Sequence, residues 1–359
     1  MRILHLRFPA AQFGSWRSVL VGHPPGLLTY VSFFEGSVHG AAAVFRNQES
    51  LNSFLDLLFR TKPAGLHCEI KEFDPPSLVP PLDRPVVIVG APRSGTTMLF
   101  ATLAKCPNCW TIGGEDHTVI ESVRGKSDKQ GNRLEAADAD PESCRIIETA
   151  FRSALRNRDG RFHIDGGGSA GETDIRFLEK TPKNSLRVSF LRSLFPNCRF
   201  VFLYREPQSN IGSLIDGWNS RKFTSYRLDD GFEWKFLLPP GWRDLLGKPV
   251  AEIAAAQWKA ANACILQDLA HIPREHWVLV RYERLVSQPR EEIRRICDFT
   301  ALEMDTVVEE LFKQPLPLSG STLTPPSADK WRRHEEALIH LMPSIENIPT
   351  AVSRLEAGQ

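Results

Sequence analysis

No stretch of this 359-residue chain approaches the ~20 consecutive apolar residues of a membrane span. The opening Met1–Arg7 lacks the apolar core and cleavage site of a secretory signal. An excess of charge of one sign is missing too, since 44 basic and 43 acidic side chains leave a net +1. Composition alone therefore advertises no polyanion-binding surface, and only local basic clusters stay open. Seven cysteines fall at irregular spacing. Cys106 and Cys109 read C-x-x-C, but no second Cys or His pair stands at ligand spacing, which argues against a disulfide framework and a cysteine zinc site. Internal repeats are absent. These absences set the expectation of a cytoplasmic, reduced protein with no metal, no nucleic-acid partner and no membrane span.

What is present divides in three. The length allows one large domain and a small companion. Over residues 1–73, strand-like runs at Arg2–Phe8, Leu27–Phe34, Val38–Phe45 and Leu66–Phe73 surround a helical pattern of Leu51, Phe54, Leu55 and Leu58. If the Gly/Ser/Pro-interrupted stretch after Phe8 is helical, the order is βαββαβ, a ferredoxin-like α+β unit. It weakly resembles small dimeric domains of the antibiotic-biosynthesis monooxygenase type, which implies a homodimer formed through it. Residues 74–83 form a Pro-rich linker, and 84–359 the main domain. There strands alternate with helices, which predicts an α/β parallel sheet covered on both faces.

The main domain opens on Val86-Val87-Ile88-Val89-Gly90, then Ala91-Pro92-Arg93-Ser94-Gly95-Thr96-Thr97 and an apolar helix. A buried strand, a Gly-containing loop and a helix N-terminus make an anion cradle of backbone N–H groups. Gly90 and Gly95 have Walker A spacing, but Thr96 stands where a nucleotide triphosphatase needs Lys. The cation is Arg93, inside the loop. A shorter anion tail than a triphosphate suits it better, although a P-loop kinase or hydrolase remains the enzymatic alternative, and a nucleotide-binding scaffold without turnover the other.

Pro-Arg-Ser-Gly-Thr-Thr resembles the 5′-phosphosulfate loop of PAPS-dependent sulfotransferases, and three further segments extend the resemblance over roughly 84–335. Arg205, in Leu203-Tyr204-Arg205-Glu206-Pro207, and Ser213 match the family's 3′-phosphate site. Glu179-Lys180-Thr181-Pro182 matches the catalytic Lys of heparan-sulfate and tyrosylprotein sulfotransferases. Glu115-Asp116-His117 matches the Glu-x-His of the heparan-sulfate branch, implying Glu115 as the base, with His117 second. Lys330, Trp331 and Arg332 are similar to the Lys-Trp segment that closes over the nucleotide. Arg281-Tyr282-Glu283-Arg284-Leu285 matches a structural strand end. The resemblance implies PAPS as donor, PAP as product, an in-line metal-free transfer, and a small-molecule or natural-product acceptor with a hydroxyl. It puts Arg93, Ser94, Gly95, Thr96 and Thr97 on the 5′-phosphosulfate. Aromatics between Phe223 and Trp242 are either a lid over the acceptor or part of a core.

Overall fold

The computed structural model describes residues 1–9, 22, 24–35, 38–61, 69–73, 82–123, 131–166, 175–316, 318, 320, 322–324 and 327–357. The stretch after Pro9, most of the Pro-rich linker and much of the Gly-rich run after Asp165 lie outside these residues. The chain divides into two compact units. One comprises Met1–Asp83, Asn108–Lys126 and Ala139–Glu179, the other Arg84–Pro107, Ser127–Asp138 and Lys180–Gln359.

In the first unit, β1 (Arg2–Pro9), β2 (Leu27–Glu35), β3 (Val38–Phe45) and β4 (Glu69–Phe73) form an antiparallel sheet in the order β2-β3-β1-β4. The register sets Leu4 opposite Ala43 and Leu6 opposite Ala41. Alternation then puts Leu4, Leu6, Phe8 and Phe45 on one face, against Leu51, Phe54 and Leu58 of the helix Gln48–Thr61. Each such buried side chain stabilises by about 1.5–3 kcal/mol. The opposite face is also covered, because the helix Pro141–Ser153 lies along β2 and β3. Asp140 starts that helix by accepting from the Glu142 and Ser143 amides, with Pro141 at its first position. On this face His5 meets the rings of Phe33, Phe73 and Phe162.

Further along, β5 (Val86–Val89), β6 (Cys109–Trp110), β7 (Arg176–Glu179) and β8 (Arg199–Tyr204) alternate with helices. A small hairpin of β9 (Tyr226–Arg227) and β10 (Glu233–Trp234) precedes β11 (Trp277–Arg281). β6 and β7 pair in parallel within the first unit. In the second unit β11, β8 and β5 are parallel neighbours. Val86–Val89 is buried throughout, as is Phe200–Tyr204, so these strands read as continuous apolar runs, as parallel strands flanked by helices do. The architecture is mixed α/β.

The charged stretch 124–145 reads as a surface excursion, yet Asn132, Arg133 and Leu134 are buried. Arg133 grips Asp268 through two bonds of 2.7 and 2.8 Å, and the Asn132 side chain bonds Leu238 N and Tyr226 OH. Paired this way, polar residues tolerate burial.

Candidate active site

The phosphate loop leaves β5 where two glycines are required. A Cβ at Gly90 would lie 2.5 Å from Leu203 O, so only glycine lets the loop cross β8 so closely. Gly95 has φ +104°, and a Cβ there would meet the Tyr282 ring at 2.6 Å. Arg93 also adopts a left-handed backbone, φ 68°, without being glycine. Strained backbone persists where its surroundings hold it. Here the holders are on the segment after β8: Arg205 Nη1 donates to Arg93 O at 3.0 Å and Asn210 Nδ2 to Pro92 O at 2.9 Å. Among the described residues no side chain caps the helix Thr96–Leu103 that the loop feeds, so its first N–H groups face the loop.

Cations gather around this loop. The Arg93 guanidinium lies 5.0 Å from the Phe223 ring centre and Arg205 4.4 Å from that of Tyr282. Burial, then the Arg205 charge, holds Arg93 below its ordinary pKa, with Asp216 pulling the other way. Burial likewise lowers Arg205. Lys330 is lowered by burial and by Arg333, Arg93 and Arg205, against an opposing pull from Asp216. Arg205 depresses Arg93, and both depress Lys330, an arrangement that an anion relieves. Ser94 is fully buried, and its Oγ has no hydrogen-bond partner among the described residues. A polyanionic nucleotide tail fits these residues: it would satisfy the Ser94 hydroxyl, the loop amides and the clustered charge together.

Lys180, first residue after β7, is 2% exposed and donates to Thr97 Oγ1 at 3.0 Å. Thr96, standing where Walker A has Lys, is buried. Ser213 lies on the helix Pro207–Asn219, beside Gly212, whose hypothetical Cβ would be 3.1 Å from Trp331 Cβ. Trp331 and Lys330 are thereby brought to Ser213's helix. Arg332 is exposed and bonds Asp329 at 3.0 Å. Glu115 and His117 belong to the other compact unit, where His117 Nε2 lies 3.4 Å from Glu115 Oε2. Between them Asp116 is buried and accepts from the amides of Thr118, Val119 and Ile120, pinning the turn that carries both.

The profile described as "Sulfotransferase family" matches residues 85–306. The chain belongs to the sulfotransferase family. Protein-tyrosine sulfotransferase A of Caenorhabditis elegans is 27% identical over 246 residues, 66% of this chain and 55% of that protein. Nodulation protein NoeE of Sinorhizobium fredii is 29% identical over 236 residues, 61% of this chain and 50% of that protein. The chain spans about half the length of these curated relatives. Among solved structures, a sulfotransferase from Alicyclobacillus acidocaldarius superposes with TM-score 0.42 at 16% identity, covering 77% of this chain and 96% of its own. In this sulfotransferase-family chain sequence reading passed over Asn210 and Asp216, and it named Phe223 and Tyr282 without placing them at the loop. The first two sit on the helix Pro207–Asn219, whose sequence pattern carried no sign of a contact with the loop. The aromatics between Phe223 and Trp242 divide: Trp234 and Trp242 are core, while Phe223 faces Arg93 and Tyr226 lies 4.7 Å from Lys183 Nζ. Among the described residues no helix is long and apolar enough to cross a membrane.

Proposed function

We propose that this chain moves a sulfuryl group from PAPS to the hydroxyl of a small-molecule or natural-product acceptor. The observation that carries the reading is the cluster of Arg93, Arg205 and Lys330 around a loop whose buried Ser94 hydroxyl has no hydrogen-bond partner among the described residues. Arg93, Ser94, Gly95, Thr96 and Thr97 hold the 5′-phosphosulfate. Arg205 and Ser213 hold the 3′-phosphate, and Lys330, Trp331 and Arg332 close over the nucleotide. PAPS supplies an activated sulfuryl group whose bond to the 5′-phosphate breaks as the bond to the acceptor oxygen forms. Lys180 stabilises charge on the departing phosphate oxygen, and its bond to Thr97 keeps it at the loop. Glu115 accepts the acceptor's proton, with His117 as its alternate. Fixed cations do the work that magnesium does for a triphosphate, and PAP leaves as product.

Residues 1–73 are read as a ferredoxin-like unit that makes a homodimer. The antiparallel order β4-β1-β3-β2 supports the topology. A cytoplasmic setting rests on composition alone. The reaction is tested by incubating the protein with sulfur-labelled PAPS and a panel of phenols, sugars, lipids and carrier-bound hydroxyls. Label should move to one class with matching release of PAP. Binding of PAP without acceptor-dependent release from any class would favour the scaffold without turnover.

A further inference from the structure

The nucleotide site has a counter-ion inside its own walls. Asp216 is on the helix Pro207–Asn219, one turn beyond Ser213. Its carboxylate accepts from Arg333, lies 2.9 Å from His334 Nε2 through Oδ1, and is 3.9 Å from Lys330 Nζ. All three partners come from the one short turn Lys330–His334. Gly212, one turn earlier on the same helix, lets Trp331 lie directly on the backbone: a Cβ would come within 3.1 Å of Trp331 Cβ and 3.2 Å of its Cα. Lys330 also donates to Thr324, which ties the preceding segment to the same point. A carboxylate beside an anion site normally repels the ligand. Two cations and a histidine converging on this one, over a glycine that permits the approach, indicate anchoring instead.

Resting on the PAPS reading above, we propose that Asp216 is a positioning residue: it docks the Lys330–His334 turn on the helix that carries Ser213, so that Lys330 faces the nucleotide's 3′-phosphate. Asp216 touches no reacting atom and acts through Lys330. Gly212 supplies the steric half of the same device. The carboxylate thus sets the preference for a nucleotide with a 3′-phosphate over one without it.

Calorimetric titration with PAP and with AMP, which lacks the 3′-phosphate, tests this in the full chain. Asp216→Ala should weaken PAP about tenfold, the loss of one charge-assisted contact, and leave AMP within about twofold. Lys330→Ala should do the same, and the double variant should lose no more than either single one, since both remove one interaction. Gly212→Ala, which keeps the carboxylate but pushes Trp331 away, should also erode the PAP preference. Amide exchange without nucleotide should show residues 327–340 losing protection in Asp216→Ala. Tighter binding of both nucleotides by Asp216→Ala would show that the carboxylate only repels, and would overturn the proposal. So would equal losses for PAP and AMP, an additive double variant, or unchanged exchange. If the wild type binds PAP no better than AMP, the 3′-phosphate reading fails. The exchange measurement then still decides whether Asp216 holds the turn.

Discussion

Glu115 and His117 can each take a proton, and their side chains lie 3.4 Å apart. Glu115→Gln keeps shape and hydrogen bonding while removing basicity. If Glu115 is the base, kcat should fall by ~10²–10⁴ with PAP affinity unchanged. His117→Ala should cost less. A near-wild-type Glu115→Gln beside an inactive His117→Ala reverses the assignment. Away from the site, His5 is a residue whose burial has a price in acid. Burial pushes its pKa down to about 4, against a raising contribution from its bond to Ser153 O. Below pH 6.5 the unfolded chain takes up a proton that the folded chain refuses, so stability falls as pH drops from 6.5 towards 4. The full difference is about 3 kcal/mol. Denaturation at pH 7 and pH 5 should show a smaller acid loss in His5→Leu than in wild type. An equal acid loss would mean that His5 does not set this slope.

Between the hairpin β9–β10 and the helix Val250–Leu269, Gln257 organises the aromatic segment. Its amide nitrogen donates to Lys235 O at 2.8 Å and Leu237 O at 2.7 Å, while its oxygen accepts from Trp218 Nε1 at 2.9 Å. Trp234 packs edge-on against both Trp218 and Trp242. Gln257→Leu leaves the Lys235 carbonyl and the Trp218 indole N–H without these buried partners, while Leu237 O keeps its bond from Trp234 Nε1, and should cost about 3 kcal/mol in denaturant unfolding. A loss below about 1 kcal/mol would mean that the segment finds other partners. Apolar periodicity could not separate core from lid here, because the two-residue strands β9 and β10 are too short to give the segment a period. Strands β5, β8 and β11 were legible because buried parallel strands are unbroken apolar runs. The loop between Gly90 and Gly95 was legible because glycine spacing reports backbone geometry. Asp216 and Asn210 were not, since a polar residue on a helix face looks solvated until its long-range partner is known. The cover that Pro141–Ser153 gives to β2 and β3 was hidden for the same reason: a contact across about a hundred residues leaves no local pattern.

The first compact unit draws its core from both ends of its sequence. Phe162 and Ser153 meet His5, and Asp165 bonds Arg7 and Lys71. A chain beginning at Arg84 would uncover the apolar face of Pro141–Ser153 and should show a lower thermal midpoint and a tendency to aggregate. An unchanged midpoint would show that residues 1–83 are dispensable to the fold. The central claim concerns the whole molecule's choice of ligand, and differential thermal unfolding with PAP, PAPS or ATP plus magnesium tests it most directly. A ligand bound by the folded state alone raises the midpoint in proportion to its affinity. PAP and PAPS should each raise it by several degrees, Arg93→Ala and Arg205→Ala should abolish the shift, and ATP with magnesium should do much less, since Thr96 cannot replace the γ-phosphate lysine. Equal shifts from PAP and ATP with magnesium, or a PAP shift that survives both substitutions, would contradict the account.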